Sequence, residues 1–213
     1  MSVSLPNGAI ITMAASYGPL VPITILTNSL PAVATAAAHG VLAGEYAEIT
    51  SNWERLNSKI IQSATVTANT LDLLGIDSTS VITYPAGGGL GSVRRIISWV
   101  QLSQILSSDT NGGEQQFEEY QFLESSSQKR IPTTKSASGL TFSVADDPTL
   151  LGYQQASLAD EDRKPRAIRI NLPNGGVLLY NAFVSLNKTP SLTPNQIMAV
   201  EVTLSLLADP VRY

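Results

Sequence analysis

Apolar and polar residues alternate along most of this chain in short runs closed by turn residues. Leu140, Phe142 and Val144 interleave with Thr141, Ser143 and Ala145. Ile168, Ile170 and Leu172 interleave with Arg169 and Asn171, and Val200, Val202, Leu204 and Leu206 with Glu201, Thr203 and Ser205. A period of two marks strands with one buried face. Toward the N-terminus the same reading predicts a first strand at 9–15, broken at Tyr17-Gly18-Pro19, and a β-branched strand at 23–27. An extended stretch at 33–38 follows, then short strands at 45–50, 59–66 and 70–74, with turns at Asn28–Pro31, Ser51-Asn52 and Thr67–Asn69. Strands spaced about ten residues apart suggest a small β-barrel or sandwich, placed at residues 23–78.

Pro85 to Ser92, with four glycines, punctuates the chain. After it come a long strand-like run at 93–106, a turn at Asp109–Gly113 suited to a hairpin, and a returning strand at 115–124. Residues 125–138 are polar, carry Lys129, Arg130, Pro132 and Lys135, and read as a long exposed loop. Asp146 or Asp147 can N-cap a helix that has Pro148 in its first turn and Leu150, Leu151, Tyr153 and Leu158 as its apolar face. A charged loop, Asp160–Pro165, ends it. Pro173-Asn174-Gly175-Gly176 is a hairpin turn leading into a strand at 177–187. The fold class expected is mainly β: an antiparallel β-sandwich or barrel with one packed α-helix, formed by residues 1–22 and 79–213, with the 23–78 unit as a small inserted β module.

Composition narrows the function. Charged residues are only 14% of the 213, against about 25% in ordinary domains, while Ser and Thr number 42. Hydroxyls therefore replace charge on much of the surface. The absence of Cys excludes disulfides, thiolate zinc sites and a cysteine nucleophile, and a single His excludes a multi-histidine metal cage. The net charge is −4 with no basic patch, unlike a protein that grips DNA phosphates. A chain that lets DNA pass without holding it would be neutral or acidic. Residues 1–20 lack the basic start and clean apolar core of a secretory signal, and the apolar stretch 20–42 is broken by Pro22, Asn28, Pro31 and His39.

Candidate chemistry is sparse. Gly87 and Gly89 begin a G-x-G pattern, but Ser92 stands at the third position, so the segment reads as a flexible connector. His39 has no nucleophile elbow and no neighbouring acid, and reads as structural. Asp160, Glu161 and Asp162 precede Arg163 and Lys164 and lack EF-hand spacing, which suits a solvated loop better than a metal site. Asn187-Lys188-Thr189 matches a glycosylation sequon without an export signal to make it relevant. Glu114, Glu118, Glu119 and Glu124 crowd one strand: either a solvated edge or an acidic surface that repels another anion. The segment 125–138 is either a loose loop or an arm that docks onto a neighbouring copy. No catalytic residues, cofactor or metal are expected.

The segments Gly113-Gly-Glu-Gln-Gln-Phe-Glu-Glu-Tyr-Gln-Phe-Leu-Glu124, Ile131-Pro-Thr-Thr-Lys-Ser-Ala-Ser138, Pro165-Arg-Ala-Ile-Arg-Ile-Asn-Leu-Pro-Asn-Gly175 and Val202-Thr-Leu-Ser-Leu-Leu-Ala-Asp-Pro-Val-Arg212, in that order, resemble the major tail tube proteins of long-tailed, non-contractile, lambda-like bacteriophages. The resemblance covers residues 80–213. The N-terminal part, with Pro31–Gly40 and Ile49–Ser58, is similar to a small β module of several phage structural proteins. The resemblance implies a virion protein, made in the cytoplasm of the bacterial host, that forms hexameric rings stacked into a tube. It implies a continuous inner barrel shared by six copies, and as partners the tape-measure protein, tail-tip and terminator proteins, and DNA in transit without specific binding. A long loop that reaches the adjacent ring corresponds by order to 125–138, with Ser125, Gln128, Lys129, Arg130, Pro132 and Lys135 as contact candidates. Asp160, Glu161 and Asp162 are candidates for their acidic partners across the joint. Glu118, Glu119 and Glu201 are candidates for the lumen, Glu201 on the strength of its alternation with Val200 and Val202. Two other readings stay open: a tail terminator or connector that forms one ring and stops, and a β-sandwich module binding a receptor or carbohydrate. Aromatic residues are 6%, few for a ligand-stacking module.

Overall fold

The computed structural model describes residues 7–213; the first six residues of the expected 1–22 segment lie outside the described residues. The strands are β1 (Ile10–Tyr17), β2 (Val21–Ile23), β3 (Ile25–Leu26), β4 (Ala32–Thr35), β5 (Tyr46–Ser51), β6 (Lys59–Val66), β7 (Thr70–Leu73), β8 (Gly91–Leu102), β9 (Ile105–Asn111), β10 (Gln115–Tyr120), β11 (Lys129–Lys135) and β12 (Gly139–Ala145). The helix α1 (Leu151–Asp162) is followed by β13 (Arg166–Asn171), β14 (Val177–Asn187), β15 (Ala199–Leu206) and β16 (Val211–Arg212). The fold is mainly β with one helix, as the alternation predicts. All strand pairs are antiparallel, in one curled sheet of order β3-β4-β7-β6-β5-β8-β1-β13-β14-β15-β12-β9, with β2 and β16 attached beside it and β10-β11 forming a separate ribbon.

Two long strands tie this sheet together. The first half of β8 pairs with β2 on one side (Val21 opposite Val93) and with β5 on the other (Ile49 opposite Val93). Its second half pairs with β1, from Ile96 opposite Tyr17 to Leu102 opposite Ile11. β14 does the same further on, with residues 177–182 paired to β13 and 182–187 paired to β15. Each strand therefore belongs to two stretches of sheet that turn around different cores. One core gathers Ile11, Met13, Phe142, Val184, Val202 and Leu204 under α1. The other gathers Ile23, Leu26, Ile49, Trp53, Leu71 and Val93, with Tyr84 packed against it. A smaller cluster of Ala14, Ile60, Ile96, Ala167, Leu179 and Val211 lies between the two.

Buried polar contacts reinforce the junction. Asn181 on β14 donates from Nδ2 to Glu48 Oε1 on β5 and to the Ser58 carbonyl, both at 3.0 Å, and Arg94 on β8 donates to the other Glu48 oxygen. Gln62 N donates to the Tyr213 hydroxyl (3.0 Å), which in turn donates to the Leu74 carbonyl (2.9 Å). The Pro85–Ser92 segment is not a flexible connector: the Trp53 indole donates to the Pro85 carbonyl (2.9 Å) and the Ser51 hydroxyl to the Gly89 carbonyl (3.0 Å). Gly88 and Gly89 pack on Trp53, and Gly91 lies against the Thr50 backbone. His39 is buried and structural, accepting from Val41 N at Nδ1 and donating from Nε2 to the Thr67 carbonyl, both at 3.1 Å.

Several local expectations are corrected. The run 93–106 divides at Gln104, whose positive φ of 60° breaks the strand into β8 and β9. The strand expected at 23–27 divides likewise into β2 and β3. No side chain caps α1: its N-cap position is Leu150, and Asp147 instead accepts from Thr149 N (3.0 Å) one turn earlier. Its buried face is Gly152, Ala156 and Ala159, while Leu151 and Leu158 are exposed. The reason is close approach, since a Cβ on Gly152 would stand 2.5 Å from the Gln101 carbonyl oxygen. Asp160–Asp162 form the last helical turn, not a loop.

Tyr17 yields a pH test. Burial pushes its phenol up to about 12, outweighing the opposing hydrogen bond from Ala167 N (2.7 Å). The folded pKa lies above the unfolded value near 10, so the contribution of the neutral phenol is complete below about pH 10 and is lost as pH rises toward 12. Unfolding free energy from urea titrations is expected to fall by up to ~3 kcal/mol over that window. Tyr17→Phe should cost ~1 kcal/mol at neutral pH by leaving the Ala167 N–H unpaired, and should make the alkaline decline shallower, leaving the part carried by Tyr180 and Tyr213, whose phenols burial also pushes up.

Candidate assembly surface

The strands β9, β12, β15 and the second half of β14 form a four-stranded stretch whose two faces differ on β12, β14 and β15, while β9 is polar on both, with Ser108 and Thr110 on the reverse side. Directly opposed residues share a face, so the register defines three rows. These are Asn187–Glu201–Ser143–Ser107, Ser185–Thr203–Thr141–Asp109, and Phe183–Ser205–Gly139–Asn111. Hydroxyls, amides and two carboxylates fill them, with Phe183 the one large apolar side chain and no Lys or Arg. The opposite face carries Val184, Leu186, Val200, Val202, Leu204, Leu140, Phe142 and Val144, all buried under α1 and the rest of the core. Alternation on Val-Glu-Val-Thr-Leu-Ser is what sorts the two faces.

At one end of this stretch, β9 is exposed from Leu106 to Asn111 on both of its faces and, among the described residues, has β12 as its only partner. At the other end, β14 beyond Ala182 keeps β15 but has run past the start of β13. Strand directions alternate across the four strands, so β9 and β14 run antiparallel to each other.

Past Asn111 the chain does not turn back on β8 as expected. Gly112 and Gly113 take positive φ (70° and 77°), and a Cβ on Gly112 would lie 1.8 Å from the Ala137 carbonyl oxygen. Asp109, Thr110 and Asn111 belong to β9 rather than to the turn. The chain leaves the sheet as the β10-β11 ribbon, an arm with a tip at 121–128, and rejoins β12 through Ser138. The segment 125–138 is therefore not one loop: Ser125 and Gln128 lie in the tip, and Lys129, Arg130, Pro132 and Lys135 lie on β11. Every residue of both arm strands is exposed except Tyr120, including Phe117 and Ile131, and the tip exposes Phe122 and all of Leu123. A two-stranded ribbon with so little burial is marginal by itself.

The candidate residues fall into separate places. Glu201 is exposed on the polar face of β15. Glu118 and Glu119 are not on that sheet but on β10, opposite Ile131 and Arg130, and Glu119 accepts from Arg130 Nε at 2.8 Å. Asp160, Glu161 and Asp162 are all engaged within the chain. Leu186 N donates to Asp160 (3.3 Å), Lys188 to Glu161 (2.8 Å), and Lys164 N (3.0 Å) and Arg166 (2.5 Å) to Asp162. The salt link holds the Glu161 carboxyl below the usual range and raises Lys188. Sequence reasoning missed Asp109, which the register places on the same polar face as Glu201, in the adjacent row. Its Asp-Thr-Asn-Gly-Gly context signals a turn and hid the strand. An open cleft of about 650 Å³ lies between Arg55, Lys59 and Tyr84 on one side and Lys135, Ser138 and Asp209 on the other. Among the described residues no group of His, Cys, Asp or Glu could hold a metal ion, and no helix is long and apolar enough to cross a membrane.

The profile of the phage tail tube protein family, TTP, matches residues 51–213. The chain belongs to that family. This tail tube protein is thus a structural component of a virion tail. No curated protein matches it. Among solved structures, the tail of an empty GTA particle refined helically with C6 symmetry is similar at TM-score 0.43 and 8% identity, over 53% of this chain and 84% of that one. The tube-terminating cap of the anti-feeding prophage (0.35, 19%) and the sheath–tube complex of an extracellular contractile injection system, PVC, in its extended state (0.35, 16%) each match over 49% of this chain and 78% of theirs.

The arm root gives a test of its marginal stability. Gly112→Val places a side chain against the Ala137 carbonyl in a conformation that β-branched residues rarely adopt. The arm should open, raising tryptic cleavage after Lys129 and Arg130 about ten-fold, with the melting temperature of the remaining fold within a few degrees of wild type.

Proposed function

We propose that this tail tube protein forms hexameric rings that stack into the tube, enclose the tape-measure protein during assembly and conduct DNA during ejection. The observation that carries the reading is β9, exposed on both faces from Leu106 to Asn111 and, among the described residues, paired along one edge alone. Such an edge is a liability in an isolated domain and an asset in an assembly. Because β9 and the end of β14 run antiparallel at opposite ends of one four-stranded stretch, copies set side by side join as antiparallel neighbours at every junction. Repetition of this heterologous contact closes when the rotation per copy divides the circle.

The polar face of the same stretch then lines the lumen. Glu201 and Asp109 repel phosphate, and the hydroxyls of Ser107, Thr141, Ser143, Ser185, Thr203 and Ser205 give DNA only neutral contacts. A formal charge of −4 per copy makes about −24 per six-copy ring. On the arm, which continues past β9, Glu118 is the free acidic candidate among the described residues for extending this wall, whereas Glu119 is held by Arg130 on the same face. Tip and terminator proteins close the two ends of the tube. The 23–78 unit is assigned to the outside of the tube or to the joint between rings.

The arm reaches the next ring. Ser125 and Gln128 lead at its tip, and Lys129, Arg130, Pro132 and Lys135 follow on β11. Asp160, Glu161 and Asp162 would have to exchange partners to meet its cations, and exposed ion pairs are worth only ~0–1 kcal/mol. Most of the docking energy is therefore assigned to Phe122, Leu123 and Ile131, which bury apolar area at ~25 cal/mol per Å².

Negative-stain microscopy of the concentrated protein at several salt levels tests the reading. Long hollow tubes with a regular axial repeat are expected from the wild type. Deletion of Gln128–Thr134 should leave a monomer with native circular dichroism and no tubes. Tubes of ordinary length from the deletion would refute the role given to the arm, and isolated rings from the wild type would favour a terminator or connector.

A further inference from the structure

We propose that the Asp160 side chain, in the last turn of α1, guards the β14 edge in the free subunit and is displaced by the β9 edge of a second copy on assembly. The inference rests on the tube reading above and adds a control step to it. Backbone groups along β14 point alternately to its two sides. Asn181 accepts from Leu207 N on the β15 side, whereas Leu186 N donates to the Asp160 side chain. Leu186 therefore faces away from β15, along the edge that β13 leaves uncovered. Asp160 stands where the carbonyl of a pairing strand would stand.

Two features make this a removable cover. The bond is long, at 3.3 Å, and the second link at this end, Lys188 to Glu161, joins two side chains that are about half exposed. Neither competes well with a strand ladder. The helix is anchored by its buried Gly152, Ala156 and Ala159, and Asp160, Glu161 and Asp162 lie beyond the last buried position, so their side chains can release the edge with Ala159 left in the core. The occupant is a second copy because β9 supplies the complementary edge. Its Ser107, Asp109 and Asn111 lie opposite Ser143, Thr141 and Gly139 of β12, and Ala145 N donates to the Gln104 carbonyl on that same side. Ser108 and Thr110 are thus left to pair outward. Edge protection by an inserted side chain is a known way to keep subunits apart until assembly is wanted.

The test uses the whole chain, wild type and Asp160→Ala, in two measurements. Hydrogen exchange at Leu186 is read by mass spectrometry from peptides ending on either side of it, below the assembly threshold. The threshold concentration for tubes is read by sedimentation. Exchange in Asp160→Ala should be at least ten-fold faster, and the threshold at least three-fold lower. Asp160→Asn, which keeps an acceptor oxygen without the charge, should move both in the same direction by less, and it replaces the alanine variant should that one melt early. Equal exchange in variant and wild type overturns the guard. So does an unchanged or raised threshold in a variant that melts within a few degrees of wild type. Faster exchange with no tubes from any of the chains overturns the tube reading instead, and the displacement step with it.

Discussion

The structure depends on strands that are each shared between two regions of sheet. β8 is the clearest case. Its first residues are flanked by β2 and β5, its last residues by β1, and one continuous backbone carries both ladders. Neither core could be reoriented without breaking hydrogen bonds along this strand, because buried backbone groups must stay paired. Glu48, Arg94 and Asn181 add a second constraint at the same place. Asn181 and Arg94 both approach the buried Glu48 carboxylate, and removing either partner would leave a charge poorly satisfied inside the protein.

β14 repeats the arrangement and turns it toward function. By leaving β13 at Ala182 and continuing with β15, it forms the end of the sheet at which the proposed assembly places another copy. β9 does the same at the opposite end. The four strands between these ends have an apolar face that holds the domain together and a polar face without cations. The proposed lumen wall for DNA would use that combination: rigid where its reverse side is core, and slippery because it offers phosphate only carboxylates, hydroxyls and amides.

The strands with strict alternation were legible in the sequence. β12, β13, β14 and β15 stand where Leu140–Ala145, Ile168–Leu172, 177–187 and Val200–Leu206 predict them, and Glu201 was assigned to the polar face by its neighbours. The family was legible too, in the order of its turn-like segments. Other features were hidden for physical reasons. The helix buries glycine and alanine, so an apolar-face reading chose Leu151 and Leu158, which are exposed. Asp109 sits in a strand made of turn-forming residues, held there by its ladder with β12 and not by propensity. The arm strands have no buried face, so no alternation marks them, and β11 read as a loop.

Helical reconstruction of the assembled tube by electron cryomicroscopy tests the central claim most directly. The account predicts β9 of one copy beside residues 183–187 of the next, antiparallel, with Glu201 and Asp109 facing the lumen. A map with the four-stranded polar face on the outer surface, or with β9 and β14 edges both unpaired, would contradict it.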